Sequence, residues 1–131
     1  MGESRSKQAY RVLPLLLLAV LIVAACTSSG GDPAKVVEQY LQAKVAADQT
    51  TLRGLLCSSM EDDLQREATS FAGLDAKLVG VSCQVKSGST DVVTCAGQIV
   101  ATYGTEQTSF PLTSYKVVQE DDQWKWCGEA P

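Results

Sequence analysis

The sequence predicts an α+β domain in which helices come first and pack on a curved four-stranded antiparallel sheet. Three observations carry that expectation. Apolar residues between positions 33 and 73 recur at three- and four-residue spacing, whereas from position 78 onward runs rich in Val, Ile, Thr and Tyr are separated by turn compositions. Four cysteines, Cys57, Cys83, Cys95 and Cys127, fall where the two halves can be tied together. A helical stripe and a one-sided sheet each need a partner to bury them, so the sheet must curl round the first helix.

The first residues precede that domain and read differently. Arg5, Lys7 and Arg11 stand before an apolar stretch from Val12 to Val23, and small residues lead into Cys26. This is the order of parts in an export signal. A membrane-spanning helix needs about 20 apolar residues, and the run from Val12 to Cys26 supplies 15. The segment Val23-Ala24-Ala25-Cys26 resembles the lipobox of bacterial lipoproteins. That resemblance implies removal of residues 1–25 as a signal peptide and a diacylglyceryl group on the Cys26 thiol, with the chain held on the extracytoplasmic face of the cell membrane. Each buried methylene contributes about 0.8 kcal/mol, so two acyl chains anchor stably where one holds weakly. Residues 26–31 then form a flexible tether, rich in Ser and Gly, and residues 32–131 form the domain.

Cleavage changes the charge that matters. The whole chain carries 11 basic and 15 acidic residues; without Arg5, Lys7, Arg11 and Glu3 it keeps 8 and 14, a net charge of −6. An acidic domain beside an anionic surface is a poor ligand for nucleic acid and a poor adsorbent to head groups, which leaves the lipid on Cys26 as the membrane contact. The chain from Cys26 to Pro131 is long enough for one core and not for two.

Asp32-Pro33 supplies an N-cap and a first-turn proline, and Val37, Tyr40, Leu41 and Val45 line one face of a helix from about Pro33 to Ala47. Thr50 or Thr51 is expected to cap a second, short helix bearing Leu52, Leu55, Leu56 and Cys57. Ser58 or Ser59 opens a third, with Glu61, Asp62 and Asp63 in its first turn and Leu64, Ala68 and Phe71 on its apolar face, ended by Gly73.

Strands are expected at Leu78–Lys86 and Asp91–Tyr103, joined by Ser87-Gly88-Ser89-Thr90. A three-residue loop Gly88–Thr90 sets Cys83 opposite Cys95, Val85 opposite Val93, Val81 opposite Gly97 and Val79 opposite Ile99. Side chains alternate across a strand, so the same register gathers those residues with Ala101 and Tyr103 on one face and leaves Ser82, Gln84, Lys86, Thr94, Gln98 and Thr102 on the other. Two independent criteria, thiol pairing and apolar sorting, thus agree on one hairpin. Cys57 is left to pair with Cys127. An exported domain with four thiols, no CxxC pair and no histidine is a disulfide scaffold rather than a metal site. Two further strands, Ser109–Gln119 and Trp124–Cys127, flank the acidic turn Glu120-Asp121-Asp122-Gln123. Pro111 marks a bulge or an edge in the first of them.

From Asp32 to Cys127 the chain resembles the nuclear-transport-factor-2-like (cystatin-like) cone and, within it, small domains of unknown function in actinobacterial-type lipoproteins. The carriers are the opening helix with Val37, Tyr40 and Leu41, the segment Leu52 to Cys57, the stretch Ser70-Phe71-Ala72-Gly73 and the ending Trp124-Lys125-Trp126-Cys127. The resemblance implies a cavity between helix and concave sheet, with Tyr40, Tyr103, Trp124 and Trp126 as candidate lining residues. Some relatives use Tyr with Asp, or His with Asp, for proton transfer; a chain without histidine is limited to carboxylates and tyrosine. Capped core tyrosines and a Trp pair packed under the last strand are the competing roles for the four aromatics. The acidic runs lack the alternating ligands and glycine of a calcium loop, so no metal or cofactor site is expected. The expected function is a non-catalytic binding or interaction module of the cell envelope, for an unknown protein or a small apolar ligand; a small cavity enzyme of the isomerase or dehydratase type is the alternative.

Overall fold

A computed structural model describes residues 31–131. The expected signal, Cys26 and all but the last residue of the tether lie outside the described residues.

The chain opens with helix α1 (Pro33–Val45), whose amide at Ala34 is capped by the Asp32 carboxylate at 2.9 Å. It buries Ala34, Val37, Tyr40, Leu41 and Ala43, the spacing of a single stripe. Helix α2 (Gln49–Leu55) is capped not by a threonine but by Asp48, which accepts from the Thr51 amide at 3.0 Å and its hydroxyl at 2.6 Å. The expectation put the cap two or three residues late: Thr51 is the donor that Asp48 satisfies, a capping interaction that asks for an acceptor first. Leu56 and Cys57 have already left the helix. Leu56 forms a parallel bridge with Trp126, and the Cys57 amide donates to the Trp126 carbonyl at 2.8 Å. A 3₁₀ turn (Ser58–Asp63) and the short helix α3 (Leu64–Thr69) replace one continuous helix. Glu120, far along the chain, caps this turn by accepting from the Ser58 amide at 2.9 Å.

Five strands follow: β1 (Asp75–Val85), β2 (Val92–Tyr103), β3 (Glu106–Pro111), β4 (Ser114–Glu120) and β5 (Gln123–Glu129). The sheet is antiparallel and not closed, in the order β1-β2-β4-β5, with β3 also on β2. The fold class is therefore the expected one, helices against a meander, with five strands where four were expected. The fifth arises because β3 and β4 lie end to end along the same edge of β2. The ladder continues across the gap, from the Leu112 amide to the Gly97 carbonyl (2.9 Å) and from the Cys95 amide to the Thr113 carbonyl (3.0 Å). Pro111 and this change of register split one expected strand into two.

The β1–β2 hairpin has the expected register only at its tip. Cys83 faces Cys95 and Val85 faces Val93, but beyond a bulge between Val79 and Ser82 the pairs are Leu78 with Ile99 and Val79 with Gln98. The bulge sits on two glycines. Gly80 (φ +65°) and Gly97 (φ +102°) lie in the left-handed region, and a β-carbon on Gly97 would stand 2.6 Å from the Gly80 carbonyl oxygen. The extra residue in β1 moves Leu78 to the core side and turns Val79 out, leaving it 41% exposed. The acidic turn is tighter than expected: Glu120 pairs with Gln123 around Asp121 and Asp122 (φ +52° and +61°), the two left-handed positions of a twisted two-residue hairpin.

The core gathers Val37, Tyr40, Leu41 and Leu52 from the helices with Val93, Ile99, Ala101, Val117 and Trp126 from the sheet. Both disulfides are formed, Cys83–Cys95 within the hairpin and Cys57–Cys127 between the helical segment and β5. Among the described residues no helix is long and apolar enough to cross a membrane.

Candidate functional site

One cleft joins the two layers. It has a volume of about 170 Å³ and opens between α1 and the break that separates β3 from β4. Tyr40 and Lys44 of α1 form one wall, Phe71 and Phe110 another, and Tyr115 with Glu129 closes the side toward β5. The fold explains why these residues meet. Tyr40 and Lys44 are one helical turn apart, so they share a face. Phe110 and Tyr115 flank the β3–β4 break on the helix side of the sheet, opposite Ile99 and Val93 of β2 respectively. Tyr115 and Glu129 are register partners.

At the base of the cleft lies a charged cluster. Tyr40 is 1% exposed, and its hydroxyl donates to Glu67 Oε2 at 2.6 Å. Lys44 Nζ donates to the same oxygen at 2.7 Å and to the Tyr40 hydroxyl at 3.1 Å. Arg66 Nε is 3.7 Å from Glu67 Oε1 and its Nη2 is 2.9 Å from Asp63. Burial alone would raise the Glu67 carboxyl, but hydrogen bonds from Lys44 and Tyr40 and the charges of Lys44 and Arg66 outweigh it and hold Glu67 below the usual glutamate value. Tyr40 moves the other way: burial, then the hydrogen bond and charge of Glu67, push its phenol far above the ordinary tyrosine value. The two shifts move both titrations away from neutral pH, leaving Glu67 an ionised carboxylate and Tyr40 a protonated, uncharged phenol. The cluster stitches α1 to α3.

The aromatic candidates divide. Tyr40 stacks on Trp126, with centroids 3.9 Å apart and planes 11° from parallel, and meets Tyr115 at 6.3 Å. Trp126 is 2% exposed and belongs to the core, with no acceptor for its Nε1 among the described residues; Trp124, on the same face two residues away, packs against the core edge. Neither tryptophan lines the cleft. Tyr103 is 44% exposed at the far end of β2, beside the Gly104-Thr105 turn, and is not a lining residue either. Alternation from the buried Ile99 and Ala101 would put Tyr103 on the inner face, yet it stands exposed as the last residue of β2. Of the four aromatics expected at the cavity, the structure brings Tyr40 alone to it.

Sequence reasoning missed Glu67, Lys44, Phe110 and Glu129. Glu67 had a usable signal, since position 67 lies three residues after Leu64 and four before Phe71, on the buried side of α3. Phe110 and Glu129 had none, because both depend on the register of strands that pairing rules left open.

Two larger hollows lie elsewhere, about 290 Å³ beside Arg53, Leu56, Glu61 and Leu64, and about 410 Å³ along the outer side of α1 and the start of α2. Neither combines aromatic walls with a buried charged group. Among the described residues no three His, Cys, Asp or Glu side chains are grouped to hold a metal ion. The disulfides place the domain among proteins of oxidising, extracytoplasmic compartments.

The fold and cleft define an α+β domain of helices on an open antiparallel sheet. No protein-family model matches the chain, and no curated protein matches it. Among solved structures, a de novo designed β-sheet protein determined by solution NMR is similar at 16% identity and a TM-score of 0.45, over 72% of this chain and 82% of that one.

Proposed function

We propose that the chain is a lipid-anchored protein of the extracytoplasmic membrane face, whose domain is a non-catalytic binding module with its ligand seat in the cleft of Tyr40, Phe71, Phe110 and Tyr115. The observation that carries the binding part is the self-satisfied cluster beneath the cleft. A general base works best with a pKa near the working pH, whereas Glu67 is held low by Lys44 and Tyr40, and Tyr40 is held high by burial and by Glu67. What remains available to a ligand is a mixed surface, aromatic and aliphatic side chains with the polar groups of Tyr115 and Glu129 beside them, a lining suited to binding.

The anchoring part rests on the lipobox resemblance at Val23-Ala24-Ala25-Cys26, on an apolar run too short to span, and on disulfides that suit an exported domain. A cystatin-like cone in an actinobacterial-type lipoprotein agrees with the helix-then-meander order, and the finer family assignment stays part of this proposal. The second reading is a small cavity enzyme. It is favoured by the 2.6 Å contact between the Tyr40 hydroxyl and a buried carboxylate, a pairing that proton-transfer sites also use.

One preparation tests both parts. Cells producing the chain and its Cys26→Ala form are fractionated, and the membrane-extracted protein is examined by native mass spectrometry. The proposal requires that Cys26→Ala leave the membrane fraction and that the anchored protein retain a small molecule which Phe110→Ala loses. Equal membrane retention of both forms sinks the anchor. Recovery of a bound compound in two forms that interconvert on incubation, with Glu67→Gln abolishing the conversion, moves the reading to the enzyme.

A further inference from the structure

We infer that the cleft takes a small organic cation, a substituted ammonium, held between the aromatic rings and the carboxylate of Glu129. The inference rests on the binding-module reading and names the ligand class of the same seat.

Size comes first. About 170 Å³ is well below the roughly 300–1,000 Å³ of pockets for drug-sized ligands, so an acyl chain or a peptide segment does not fit, whereas a trimethylammonium-sized group does. The walls come next. Tyr40, Tyr115, Phe71 and Phe110 surround one small volume, with Phe71 and Phe110 edge-to-face at 5.7 Å. Ring faces attract cations through their quadrupole, most strongly where water is excluded. Lys44 Nζ, 5.5 Å from the Tyr40 ring centroid, sits at the hydroxyl end of that ring as a hydrogen-bond donor and so does not occupy an aromatic face.

Charge decides between a cation and a neutral or anionic ligand. Lys44 lines the cleft and by itself would favour an anion. Its ammonium, however, is already bonded to Glu67 and to the Tyr40 hydroxyl, while Arg66 is divided between Asp63 and Glu67. Two cations thus meet two carboxylates, and Glu129 is the charge left over. Glu129 forms no ion pair among the described residues, and it lines the cleft as the register partner of Tyr115. With Lys44 answered by Glu67 beneath the cleft, the Glu129 carboxylate beside the aromatic rings leaves the seat with a net negative charge. The acidic balance of the domain reinforces it at longer range.

The test is an NMR titration of the intact chain in a non-ionic detergent, with choline as the cation, 3,3-dimethylbutanol as its neutral carbon isostere and butyrate as an anion. Choline is expected to shift the Glu129 and Tyr115 amides and the Trp126 indole beneath Tyr40, and to bind about tenfold more tightly than the isostere. Glu129→Gln, an exposed position whose change leaves the fold intact, should lower choline affinity by about tenfold, and Phe110→Leu by several-fold, with unchanged melting temperatures. Equal binding of choline and its isostere overturns the cation while leaving the cleft as a binding seat. Preferential binding of butyrate overturns it in favour of Lys44. Shifts confined to residues outside the cleft, or none, remove the ligand seat and the cation together, without touching the membrane-fractionation result. Displacement of choline by phosphatidylcholine vesicles, and not by vesicles lacking that lipid, would overturn a free ligand in favour of a head group.

Discussion

The β1–β2 hairpin and the seam that joins α1 to the later helical turns, and these to the β4–β5 hairpin, are held by opposite kinds of constraint. In the hairpin the tie is local: Cys83 and Cys95 are 12 residues apart, and a short turn brings them together. In the seam everything is distant. Cys57 and Cys127 are separated by 70 residues, Ser58 is capped from Glu120 across 62, and Tyr40 meets Glu67 across 27. The hairpin's shape follows from neighbours in sequence, whereas the seam exists only once the whole chain has folded. The cleft borders that seam, so whatever binds there contacts residues that meet only through long-range contacts.

Removing the two disulfides one at a time should expose that contrast. In the chain-entropy model a bridge closing the Cys57–Cys127 loop contributes between about 4 and 5 kcal/mol and one closing the Cys83–Cys95 loop about 3. The double serine variant at 57 and 127 is therefore expected to lose more denaturant stability than the variant at 83 and 95, by more than about 1 kcal/mol. It should also lose the Tyr40–Trp126 stack in near-UV dichroism. Equal losses would mean that the seam is already organised in the unfolded chain and that the contrast is false.

A smaller lesion acts at the bulge. Alanine at Gly97 would force a residue into left-handed backbone and press its β-carbon against the Gly80 carbonyl. Strain of that sort costs roughly 1–3 kcal/mol, enough to lower the melting temperature of a domain this size by on the order of 10 °C. Both bridges should still form, because the tip register from Ser82 to Val85 lies beyond the bulge. If the alanine variant melts like the parent, the bulge is not what aligns Leu78 with the core.

The same division explains what the sequence reveals. Periodicity located α1 and the tip of the hairpin because each is determined by residues a few positions apart: Asp32 under Ala34, Cys83 across from Cys95. The bulge escaped because a Gly in a strand is compatible with both registers; only the approach of Gly97 to Gly80 chooses between them. Val79 and Leu78 then exchanged faces, a one-residue slip being all that side-chain alternation needs. The cleft was legible only in part. Tyr40 was visible as a member of a helical stripe, but its carboxylate partner arrives from α3 and its aromatic neighbours from the β3–β4 break, three separate stretches whose juxtaposition no local pattern encodes. Tyr103 shows the converse: alternation at a strand end says nothing about whether that position is buried, and Tyr103 is exposed.

The smallest expected effect is the most specific to the seam, because it depends on one proton. Glu67 is held below its ordinary value of 4.5 in the folded state, so the native protein resists protonation there while the unfolded chain accepts it. Its contribution is therefore fully present above pH 4.5 and is lost as pH falls through the lower folded value. Replacing Glu67 by Gln removes the charge but keeps a group that can accept from Tyr40, at a cost of about 1–2 kcal/mol near neutrality, because Lys44 is exposed enough to turn to water. The parent should lose stability on acidification below pH 4.5 more steeply than Glu67→Gln, so that the two stability curves converge toward low pH. Parallel curves would mean that Glu67 has the same proton affinity folded and unfolded. The cluster beneath the cleft would then be a packing arrangement, and the difference between seam and hairpin would reduce to loop length alone.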